Sequence, residues 1–74
     1  MREEKRQLQN TVDALQGQLE QAVDTTVARR REGSDDAAIT ETVIAVRTAQ
    51  AIERLTGNDW HDTLERQVER FEEG

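Results

Sequence analysis

The sequence predicts an all-α fold: a long helical hairpin with a coiled-coil-like seam, plus a short third helix. Three observations predict it. None of the 74 residues is proline, so nothing forbids long uninterrupted helices. Apolar side chains recur at spacings of three and four in three separate blocks. Two glycines, Gly33 and Gly57, are each followed at once by residues that favour helix starts.

The first helix is expected over about residues 2–32, roughly 45 Å at 1.5 Å per residue. Leu8, Val12, Leu15, Leu19 and Ala22 alternate four and three apart, the rhythm of a coiled-coil seam. The stripe then drifts to Val23 and Val27, nearer the period of a straight helix. Glutamines such as Gln7, Gln16 and Gln18 supply a solvated, helix-favouring face. Gly17 is the weak point, costing about 1 kcal/mol relative to alanine.

The stretch from Arg29 to Asp36 reads as a boundary. Arg29, Arg30 and Arg31 fall in a last turn, where cations oppose the negative end of the helix dipole. Gly33 suits the left-handed position that closes many helices. Ser34 or Asp35 is expected to cap the next helix, with Asp36 at its positive end.

The second helix is expected over about 35–56. Its stripe is read as Ile39, Val43, Val46, Ala49, Ile52 and Leu55, widened by Ile44, Ala45 and Ala51. So broad an apolar face implies more than one neighbour. Gly57 repeats the stop signal, and Asn58 or Asp59 starts a third helix over about 59–73. Asp59 as cap places Asp62 where a capping box has its reciprocal acid. Trp60, Leu64, Val68 and Phe71 line one face of it.

The short links predict antiparallel pairing of the first two helices within one small domain, residues 1–74. A chain of this size stabilises itself by only about 3–5 kcal/mol without further help. It has no cysteine and one histidine, so disulfides and thiolate metal sites are excluded. Completion by a second copy or by a larger partner is the remaining route. A self-complementary dimer with a four-helix core is the simplest form.

Charge limits the partners. Residues 1–33 hold six acids and six bases, while the remaining residues hold ten acids and four bases, giving the net −6. Such a chain repels nucleic acid at long range. No apolar run approaches the ~20 residues of a membrane span. The charged N-terminus lacks the apolar segment of a secretory signal. The location expected is cytoplasmic or within a virion, with no membrane partner.

Three groups of residues are candidate sites. Arg29, Arg30 and Arg31 could grip an anion, but the neighbouring Asp35 and Asp36 favour the capping reading. His61, Asp62 and Glu65 offer metal-capable groups, too few for a structural site. Trp60, Leu64, Val68 and Phe71 either anchor the third helix or present it to a partner's groove.

Catalysis has no support in the pattern. There is no glycine-rich phosphate loop and no nucleophile–histidine arrangement. The carboxylates Glu3, Glu4, Glu69 and Glu72 lie near the termini. No enzyme activity, small-molecule substrate or cofactor is therefore expected. The function expected is a structural, oligomerising or protein-binding adaptor, such as a small assembly component of a larger particle. Leu8, Val12, Leu15, Leu19, Ile39, Val43 and Val46 would carry self-association. The alternative is a dimeric nucleic-acid-associated regulator using the arginine cluster.

Overall fold

The computed structural model describes residues 2–73. They form three helices: α1 (Arg2–Arg31), α2 (Asp35–Thr56) and α3 (Trp60–Glu73). There is no strand among the described residues. α1 and α2 pair closely as a hairpin, and α3 turns back against both. The molecule measures 48 × 24 × 18 Å, its length set by α1. The first turns of α1 stand clear of the rest, with every residue from Arg2 to Thr11 exposed.

Both helix stops are built from main chain. Gly33 sits at φ 81°. Its N–H donates to the Arg30 carbonyl at 3.1 Å, and the Ser34 N–H donates to that of Arg29 at 2.9 Å. These are the two bonds of a Schellman motif. Gly57 sits at φ 78°, and its N–H donates to the Glu53 carbonyl at 2.7 Å. That single bond is the simpler left-handed stop.

The helix starts differ from each other. Ser34 holds the N-cap position of α2, yet its side chain makes no capping hydrogen bond. The side-chain cap expected of Ser34 is therefore missing. Its carbonyl accepts from the Ala38 N–H, and Asp35 and Asp36 bring negative charge to the first turn. α3 is capped by Asp59, whose Oδ1 accepts from the N–H of His61 at 2.8 Å and from that of Asp62 at 3.4 Å. A second carboxylate reaches this turn from α2: Glu53 Oε2 accepts from the Trp60 N–H at 3.0 Å.

The core is small. Leu19, Ala22 and Val23 of α1 pack on Ala45, Ala49 and Ile52 of α2, with Leu15, Trp60, Leu64 and Phe71 closing over them. Val12 and Ala38 are also buried. The stripe expected on α2 is corrected here. Of its members only Ala49 and Ile52 are buried, while Ile39, Val43 and Leu55 are exposed and Val46 is half-buried. The buried stripe is Ala38, Ala45, Thr48, Ala49 and Ile52. Small residues at Ala38, Ala45 and Ala49 let the helix backbones approach closely, while Ile39, Val43 and Ile44 are left on the flanks and Ile52 is buried.

Threonine is tolerated in these helices because its hydroxyl bonds back one turn. Thr48, buried in the seam, donates to the Ile44 carbonyl at 2.7 Å. Thr26 and Thr42 donate in the same way to Ala22 and Ala38. No buried side-chain polar atom among the described residues lacks a partner.

Candidate functional site

The surfaces around α2 and α3 differ in chemistry. The groove between α1 and α3 is polar, lined by Gln16, Glu20, Arg66, Gln67 and Arg70 among others. The two outer flanks of α2 are apolar. At 100° per residue, Ile39, Val43 and Val46 lie within about 60° of one another. They share the side of α2 that carries Glu53, the acceptor for Trp60 of α3. Val68 of α3 lies on the side of its helix turned from Arg66 and Arg70. Ile44 and Leu55 lie together on the opposite side of α2, about 20° apart.

The large apolar residues left exposed are Leu8, Ile39, Val43, Ile44, Leu55 and Val68. The four on α2 divide between its two flanks, Ile39 and Val43 on one and Ile44 and Leu55 on the other. Ile39 is 62% exposed and Val43 is 44% exposed, in a chain with few large apolar residues. The accessible surface is 5742 Å². A compact monomer of this mass exposes about 4,700 Å². The projecting start of α1, exposed from Arg2 to Thr11, contributes to that excess.

The residues expected to carry self-association are thus divided. Val12 and Leu19 are used inside the chain, and Leu15 is half-buried against the core. Leu8, Ile39 and Val43 face solvent, with Val46 half-buried beside them. In α3, Trp60, Leu64 and Phe71 pack on the hairpin, whereas Val68 is exposed. Ile44 and Leu55 complete the second flank. Their signal in the sequence is a spacing of eleven residues, which returns to nearly the same helix face.

The arginine cluster does not converge. Three successive helical residues fan out by about 100° each. Arg29 donates to Glu32 Oε2 at 3.0 Å in an exposed pair. Arg31 lines an open groove whose other walls include Glu20, Asp24, Arg70 and Glu72. Arg30 is exposed. His61 stacks on Trp60, with ring centroids 3.7 Å apart, and its Nδ1 lies 3.5 Å from Asp59 Oδ1. No group of three His, Cys, Asp or Glu residues among the described residues is placed to hold a metal ion.

No protein-family model matches the chain, and neither curated proteins nor solved structures show significant similarity to it. Among the described residues, no helix is long and apolar enough to cross a membrane.

Proposed function

We propose that the chain is a non-enzymatic oligomerisation or protein-binding module. The observation that carries this reading is the pair of apolar flanks on α2. The fold fills the centre of α2 with small residues and leaves Ile39, Val43, Ile44 and Leu55 outside. Burying a large aliphatic side chain stabilises by about 1.5–3 kcal/mol. Ile39 is 62% exposed and Val43, Ile44 and Leu55 are 39–44% exposed, so covering them would recover part of that stabilisation, set against a fold stability of about 3–5 kcal/mol. In an assembly component of a larger particle, such as a virion, the same flanks would meet neighbouring subunits.

Thermal melts across a hundredfold range of protein concentration test the self-association form of this reading. Association that covers the flanks makes Tm rise with concentration. A Tm that stays constant across that range would contradict it.

A further inference from the structure

We draw no further inference here: the strongest candidate, the apolar flank of α2 formed by Ile39, Val43 and Val46, carries nothing more because nothing in the structure shows what covers it.

Discussion

Glu53 ties α3 to α2 through the main chain: its Oε2 accepts from the Trp60 N–H at 3.0 Å, seven residues further on. One side chain thus bridges the end of one helix and the start of the next. The Glu53 carbonyl meanwhile accepts from the Gly57 N–H that stops α2. The carboxylate sits at the positive end of α3, where a negative charge is stabilising. Glu53→Ala removes an acceptor that water replaces only in part. The expected cost is about 1 kcal/mol, with faster amide exchange at Trp60. Glu53→Gln should lose less, because the acceptor remains. Equal losses in the two variants would mean that the hydrogen bond contributes nothing specific.

The three internal glycines separate by sign. Gly33 and Gly57 have positive φ, so alanine at either is strained by about 1 kcal/mol. Gly17 lies in the middle of α1, and an added Cβ there would meet nothing within 4 Å. Gly17→Ala is expected to stabilise by about 1 kcal/mol. In a domain of this size each change shifts Tm by about 4–8 °C, downwards for Gly33→Ala and Gly57→Ala and upwards for Gly17→Ala. A Gly17→Ala variant that melts lower than the parent would show that the site meets another surface.

Leu19 and Ala49 test the seam from opposite directions. Leu19 is 1% exposed and Ala49 is fully buried. Leu19→Ala leaves a cavity and is expected to cost about 3 kcal/mol, close to the whole stability of an isolated domain of this size. Ala49→Leu forces a larger side chain between closely packed helices, at about 1–3 kcal/mol. Far-ultraviolet circular dichroism during heating reads both. A chain indifferent to Ala49→Leu would contradict close approach of α1 and α2 at this point.

The helix ends are legible in the sequence because their determinants are local. Gly33, Gly57 and Asp59 act within a few residues of the bonds they make, and the expected ranges differ from α1 and α3 by one residue each. The absence of a Ser34 side-chain cap is not legible in the same way, since a suitable residue type does not guarantee the rotamer and backbone that make the bond. The buried face of α2 escapes a reading by hydrophobicity for a different reason. Hydrophobicity ranks Ile39 and Val43 above Ala38 and Ala45, whereas close packing of two helices selects by size. The seven-residue repeat of Ala38, Ala45 and Ile52 is the signal the sequence does carry. The flanks of α2 become visible only once α1 and α3 have taken their places, because exposure at Ile39 or Ile44 depends on which face the neighbours cover.

Arg29 and Arg30 serve the helix end through their main chain, since their carbonyls accept the Schellman bonds. Replacing all three side chains with alanine should therefore leave helicity and oligomeric state nearly unchanged. The same variant distinguishes the nucleic-acid alternative. Binding of duplex DNA or RNA by the parent chain at low salt is expected to be negligible, given a net charge of −6. Binding that weakens steeply with salt and vanishes in the triple variant would favour that alternative.

Light scattering after size exclusion, with circular dichroism on the same fractions at low salt and in molar KCl, tests the central claim most directly. Covering the apolar flanks of α2 by another copy predicts a helical dimer or larger closed oligomer. High salt should stabilise it by screening the repulsion between acidic copies. A fully helical monomer at every concentration and in both salts would contradict the account, because Ile39 and Val43 would then stand in water with no copy to cover them.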